Sequence, residues 1–206
     1  MLSQNLPPLK IQIVSDLHLD INKKFNSSSI LNDESKDILI LAGDICGHLS
    51  FQRNIDLLRT ALDVWSNHFK YIVYVFGNHE YYDGNIDDFN QYKNNIEQGY
   101  TNVHILEQNH LIIDNICIIG TTMWSNFDNF SPVIMNACQR RMNDFHIVKY
   151  KNRLFTPNDA ANIYQHSIDY IKHILKNNAE NIIRSVVVTH HAPSFMSVSE
   201  RYKGDS

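Results

Sequence analysis

Tyr71-Ile72-Val73-Tyr74-Val75 runs into Phe76-Gly77-Asn78-His79-Glu80, and the junction between the two decides how the rest of the chain is read. An apolar, β-branched run stopped by a glycine reads as a buried strand, and the polar group after it sits where such a strand ends. The pattern recurs along the chain. Ile11-Gln12-Ile13-Val14 leads to Asp16-Leu17-His18, Ile38-Leu39-Ile40-Leu41 leads to Gly43-Asp44, and Val186-Val187-Val188 leads to Thr189-His190-His191. Four strands therefore each end in carboxylate, amide or imidazole groups, and in open α/β sheets the carboxyl ends of strands are where sites are built. Mixed Asp, Asn and His donors suit hard to borderline divalent metals such as Mn, Fe, Zn or Ni.

Between these junctions the chain alternates strand and helix signals. Over residues 50–69 the apolar positions Ile55, Leu58, Leu62 and Trp65, spaced by three, four and three, fit one buried helix face. A second helix is expected over 86–98. Three short strands follow at Val103–Leu106, His110–Ile113 and Ile116–Ile119, with Asp114-Asn115 as a hairpin turn, and they read as the antiparallel part of a mixed sheet. Thr156-Pro157 resembles an N-cap followed by proline at the first helical position, opening a long helix over 159–177. Its Ile163, Ile168, Ile171 and Leu175 are expected on one stripe. The polar stretch 22–36, with Ser27-Ser28-Ser29, is expected to be a mobile loop beside the site. No repeat or interdomain linker interrupts the pattern, so residues 1–206 read as a single domain.

Composition narrows the classes. A net charge of −4 argues against a nucleic-acid footprint, which needs a basic face. Two divalent cations would nevertheless make the site itself attractive to phosphate. Cys46, Cys117 and Cys138 are an odd number without a C-x-x-C pair, which reads as reduced thiols in a cytoplasmic protein. Residues 1–10 carry no signal-peptide pattern, and no run of apolar residues is long enough to span a membrane.

In order, D-x-H at 16–18, G-D at 43–44, G-N-H-E at 77–80 and the later His190 resemble the motifs of the calcineurin-like metallophosphoesterase superfamily. Asn78-His79-Glu80-Tyr81-Tyr82, Gly120-Thr121-Thr122-Met123-Trp124 and Thr189-His190-His191-Ala192-Pro193-Ser194 are similar to its small single-domain bacterial members. The resemblance implies an α/β/β/α sandwich of two mixed sheets with outer helices. It also implies hydrolysis of a phosphomonoester or phosphodiester by a metal-bound hydroxide. The family's final G-H-x-H, which gives one further histidine to each metal, does not follow His191. The chain is therefore expected to be a C-terminally truncated member lacking its last strands, with a site either incomplete or completed by something else.

By motif match, Asp16 and His18 would join Asp44 on a first metal, and Asn78 and His190 would join it on a second. Asp44 suits a bridging role because it is short, anionic and preceded by Gly43, which lets the backbone approach closely. On a strand Asp16 and His18 would share a face. Asn78 offers an amide oxygen that binds without adding charge. The resemblance gives His79 the task of protonating or stabilising the leaving oxygen, which suits a histidine near neutral pH. Glu80 is expected to orient its loop rather than bind metal. His191 either points away from the ligands or plays a supporting or substrate role. His48 could border the cleft, Trp124 and the tyrosines Tyr81 and Tyr82 read as packing, and Arg140-Arg141 read as a solvated helix face. The rival reading is a catalytically incompetent member that binds at most one metal; a nuclease is disfavoured by the missing basic stripe.

Overall fold

A computed structural model describes residues 9–22, 24–31, 36–177 and 184–202. The four junction strands form as expected: β1 (Ile11–Val14), β2 (Ile38–Ala42), β3 (Tyr71–Val75) and, last in the chain, β9 (Arg184–Thr189). Between them lie β4 (Val103–Leu106), β5 (Asn109–Ile113), β6 (Ile116–Thr121) and a small hairpin of β7 (Lys149–Tyr150) with β8 (Arg153–Leu154). The main helices are α1 (Gln52–Ser66), α2 (Phe89–Glu97), α3 (Pro132–Arg141) and α4 (Pro157–Asn177).

β1-β2-β3-β4 make one sheet, parallel throughout, and β5-β6-β9 make a second that mixes an antiparallel and a parallel pair. Parallel neighbours need crossovers, and α1 and α2 supply them after β2 and β3. One expectation is corrected here. Val103–Leu106 is not part of the antiparallel unit but pairs in parallel with β3, because α2 returns the chain to the same end of the first sheet. The hairpin at Asp114-Asn115 does form, with Asp114 in the left-handed region.

Period-two alternation sorts each strand between layers. Leu39, Leu41, Ile72 and Tyr74 pack under α1 with Leu58, Leu62 and Trp65. Ile38, Ile40, Val73 and Val75 point the other way and meet Ile118 and Val188 of the second sheet. Cys117 and Ile119, on the outer face of β6, meet Ile174 and Ile171 of α4. The result is the α/β/β/α sandwich. β1 and β9 lie at the edges of the described sheets, and their burial is less complete than the apolar runs suggest: Ile13 is 65% exposed and Val187 41%. A central strand is covered on both sides and an edge strand is not.

The cap of α4 is a reciprocal box. Asp159 N–H donates to Thr156 Oγ1 at 3.3 Å while the Thr156 N–H donates to Asp159 Oδ2 at 3.0 Å, and Arg153 adds two further bonds to the same carboxylate. Its apolar stripe runs through Ala160, Ile163, Ile171 and Ile174; Leu175, expected on it, is half exposed, because a helix turns past the four-residue spacing that placed it there. The expected loop at 22–36 lies partly outside the described residues. Its described part contains a 3-10 turn at Ser27–Ile30, held by Trp65 Nε1–H to Ser27 O (2.8 Å) and Gln12 Nε2–H to Ile30 O (2.6 Å). Among the described residues no helix is long and apolar enough to cross a membrane.

Candidate metal centre

The loops after β1, β2, β3 and β9 converge at the seam between the two sheets, and Asp44 is their hub. Its carboxylate is buried; Oδ1 accepts the His79 N–H at 3.0 Å, and Oδ2 faces Nε2 of His190 at 3.5 Å, His18 at 3.8 Å and His79 at 3.9 Å. His190 Nδ1 lies 3.0 Å from the Ala42 carbonyl and its Nε2 lies 3.2 Å from Asn78 Oδ1. A carbonyl only accepts, so Nδ1 carries a proton and Nε2 is left between a carboxylate and an amide oxygen. The site draws positive charge to that point. Burial works against a charged His190, yet Asp44 outweighs it and the imidazole is pushed up to about 9. Burial likewise raises Asp44, but His190 and then His79 prevail, and its carboxyl falls to about 2.

Does this arrangement suit a divalent cation? Separations of 3.5–3.9 Å are too long for hydrogen bonds. They lie near the spacing of two donors on one ion, since bonds of about 2.0–2.2 Å set tetrahedral donors roughly 3.3–3.6 Å apart. The donor atoms form two groups, His18–Asp44–His79 and Asp16–Asp44–His190, each within 4.8 Å, and Asp44 belongs to both. Among the described residues the buried Nδ1 atoms of His18 and His79 have no hydrogen-bond partner. The residues fit.

Asp16 and His18 are brought to the centre, but not as neighbours on a strand. β1 ends at Val14, and both residues lie beyond it in the left-handed region, with φ of 55° and 46°. Period-two alternation therefore does not apply to them. The segment is held instead along the β2 loop by Asp16 N–H to Gly43 O and His18 N–H to Asp44 O, both 3.0 Å. The donor groups accordingly set Asp16 beside His190, and His18 beside His79.

Two glycines make room for the hub. A Cβ at Gly43, whose φ is +87°, would fall 2.3 Å from His190 Nδ1; one at Gly77 would fall 2.1 Å from Asp44 Oδ1 and 2.8 Å from His190 Nε2. Glu80 ties their loops together. Fully buried, it accepts the N–H groups of Asp44 (3.0 Å), Ile45 (2.8 Å), Cys46 (3.3 Å) and Gly77 (2.7 Å), and the Tyr74 hydroxyl at 2.6 Å. Burial, then the nearby Asp44, push its carboxyl up to about 7, while Tyr74 and Gly77 pull the other way. These bonds tie the loops after β2 and β3 together, and Glu80 belongs to neither donor group.

A family description, calcineurin-like phosphoesterase, matches residues 9–206. The chain belongs to the calcineurin-like phosphoesterase family. It is 35% identical over 202 residues to uncharacterized protein L509 of Acanthamoeba polyphaga mimivirus, a match that covers 90% of this chain and 68% of that protein. Its fold is also that of the phosphopantetheinyl hydrolase PptH from Mycobacterium tuberculosis, with a TM-score of 0.65 at 16% identity, over 89% of this chain and 68% of that one.

Sequence reasoning missed two residues of the candidate centre of this calcineurin-like phosphoesterase family member. Tyr82, read as packing, stacks on His79 with ring centroids 4.1 Å apart and 26° between planes, and its oxygen accepts the Asn78 Nδ2–H at 3.1 Å. Asp144, 3% exposed, accepts the Tyr82 hydroxyl at 3.4 Å. A Tyr directly after G-N-H-E-Y was visible; Asp144, 62 residues further on, gave no local signal. Two clefts flank the candidate centre. One, of about 570 Å³, is bordered by Asp20, His48 and Phe51; the other, of about 320 Å³, by Trp124, Tyr164 and His191. His48 thus borders a cleft, paired with Asp83 at 3.0 Å. Trp124 is core, only 5% exposed, yet its ring lies 5.3 Å from that of His191. Burial, then His190, hold His191 down to about 4, so it is neutral near pH 7.

Proposed function

We propose that the chain is a divalent-metal-dependent phosphoesterase that hydrolyses a phosphomonoester or phosphodiester of a small molecule. The observation that carries this reading is Asp44, one buried carboxylate shared by two groups of donors. When bound, a pair of divalent cations polarises the phosphoryl oxygens and brings the pKa of water from 15.7 to about 7. Asp16, His18, Asp44, Asn78 and His190 would hold the pair, with Mn, Fe, Zn and Ni all suited to the donor set. Asn78 and the histidines bind without adding negative charge, so the site keeps attraction for a phosphate. His79 protonates or stabilises the leaving oxygen through a ring N–H, its ring stacked on Tyr82. The three cysteines are unpaired, which favours a reducing, cytoplasmic setting.

The test is hydrolysis of an aryl phosphate by the manganese-loaded chain. Asp44→Asn is expected to abolish turnover together with metal binding. His79→Ala is expected to keep both ions and lose about 10²–10⁴-fold in kcat, the usual contribution of a proton donor. Parent-like rates in both variants would sink the proposal. The group His18–Asp44–His79 favours a second reading, in which His79 is itself a ligand; His79→Ala would then lose an ion as measured by elemental analysis.

A further inference from the structure

We infer that Tyr82 and Asp144 are a positioning pair that fixes which end of the Asn78 amide faces the metal centre. The inference rests on the metal-dependent reading above. An amide has a donor end and an acceptor end of nearly equal shape, and only the oxygen can bind a cation. Something must choose between them. Asn78 Nδ2 donates to the Tyr82 oxygen at 3.1 Å, and Oδ1 is thereby turned towards His190 Nε2 at 3.2 Å.

Tyr82 can accept from Asn78 only while its own proton goes elsewhere, and it goes to Asp144 Oδ2 at 3.4 Å. A carboxylate accepts and cannot donate, so the direction of the whole chain is set from its far end: Asp144 accepts, Tyr82 donates and accepts, Asn78 donates, and its oxygen is left for the centre. A phenol keeps its proton near neutral pH, so Tyr82 stays a donor.

A purely structural role explains Asp144 poorly. The side chain is 3% exposed, its Oδ1 is buried without a hydrogen-bond partner among the described residues, and the bond to Tyr82 is long. A buried carboxylate satisfied so sparsely costs stability, and an apolar residue would fill the space at less expense. Tyr82 also serves two site residues through different atoms, the ring for His79 and the hydroxyl for Asn78. Removing the hydroxyl alone therefore separates the two.

The experiment is calorimetric titration of Mn²⁺ into the chelator-stripped full chain and into Tyr82→Phe, Asp144→Asn and the double variant, with melting temperatures recorded alongside. The parent is expected to bind two ions. Tyr82→Phe keeps the ring on His79 and is expected to weaken one of them by about 10–100-fold, the usual effect of losing a group that orients a ligand. Turnover of an aryl phosphate should fall at limiting Mn²⁺ and recover as Mn²⁺ is raised. The double variant should bind no more weakly than Tyr82→Phe, because Asp144 acts only through that hydroxyl. Parent-like affinity in Tyr82→Phe, with or without a lower melting temperature, overturns the inference alone. So does an additive double variant. A parent that binds no Mn²⁺ overturns the metal-dependent reading and this inference with it.

Discussion

Gly77→Ala is the most demanding test of the hub geometry. The new Cβ would lie 2.1 Å from Asp44 Oδ1, 2.7 Å from Asp44 N and 2.8 Å from His190 Nε2, where ordinary contact begins at 3.4 Å. The carboxylate oxygen must therefore retreat by 3.4 − 2.1 = 1.3 Å. It cannot do so freely, because Asp44 N is itself fixed on Glu80 and Oδ1 holds the His79 N–H. Overpacking of a filled site costs about 1–3 kcal/mol, and a lost hydrogen bond to a charged group about 1.5–3 kcal/mol. Together they amount to about 2.5–6 kcal/mol, and for a chain of this size each kcal/mol lowers the melting temperature by about 2–4 °C. A fall of at least about 5 °C is expected by calorimetry or circular dichroism. Displacement of a proposed ligand by more than an ångström is also expected to cost about 10²-fold in hydrolysis of an aryl phosphate. Gly47→Ala is the matched control, since its Cβ would meet the Asp20 carboxylate end at 3.1 Å and His79 O at 3.2 Å, both within a few tenths of ordinary contact. If Gly77→Ala melted and turned over like the parent, or lost no more than Gly47→Ala, the crowding argument would be wrong.

Glu80→Ala removes the common acceptor of four backbone N–H groups and the Tyr74 hydroxyl; at about 1–3 kcal/mol for each donor left dry, a loss of at least about 3 kcal/mol is expected in urea unfolding, and less than 1 would contradict it. Asp159→Asn keeps an oxygen for the Thr156 N–H but removes the charge that holds Arg153, and a lower urea midpoint is expected near neutral pH. Burial raises the Asp159 carboxyl but Arg153 and Thr156 outweigh it, so its folded value lies below 3.8. A carboxyl lowered in this way lends stability above its unfolded value and loses it as pH falls through the folded one. The gap between parent and Asp159→Asn should close below about pH 4, and a gap constant with pH would refute the assignment.

The strand ends were legible because their signals are local: a β-branched run, a glycine and a polar group within a few residues. Which sheet a strand joins is not local. Val103–Leu106 carries the same apolar alternation whether it pairs with β3 or with β5, and only the path of α2 decides. Helix phase is a similar case, since Ile174 and Leu175 are adjacent apolar residues and packing against Cys117 and Ile119 selects the first. At the centre, residue types could be read but backbone conformation could not. Asp16 and His18 leave the strand before their side chains are placed, and no spacing rule announces a left-handed residue. Asp144 reaches Tyr82 only through the fold.

Three of the proposed ligands, Asp16, His18 and Asp44, hold φ near +50°, a region that L-residues other than glycine enter at a cost and that asparagine and aspartate tolerate better than most. Glycine at any of the three would relax the backbone and remove the donor in one step. Selection for a sturdier fold and selection for these side chains therefore pull in opposite directions at the same codons. A lineage released from the second pressure would be free to drift towards glycine there, so these three positions record whether the centre is still in use.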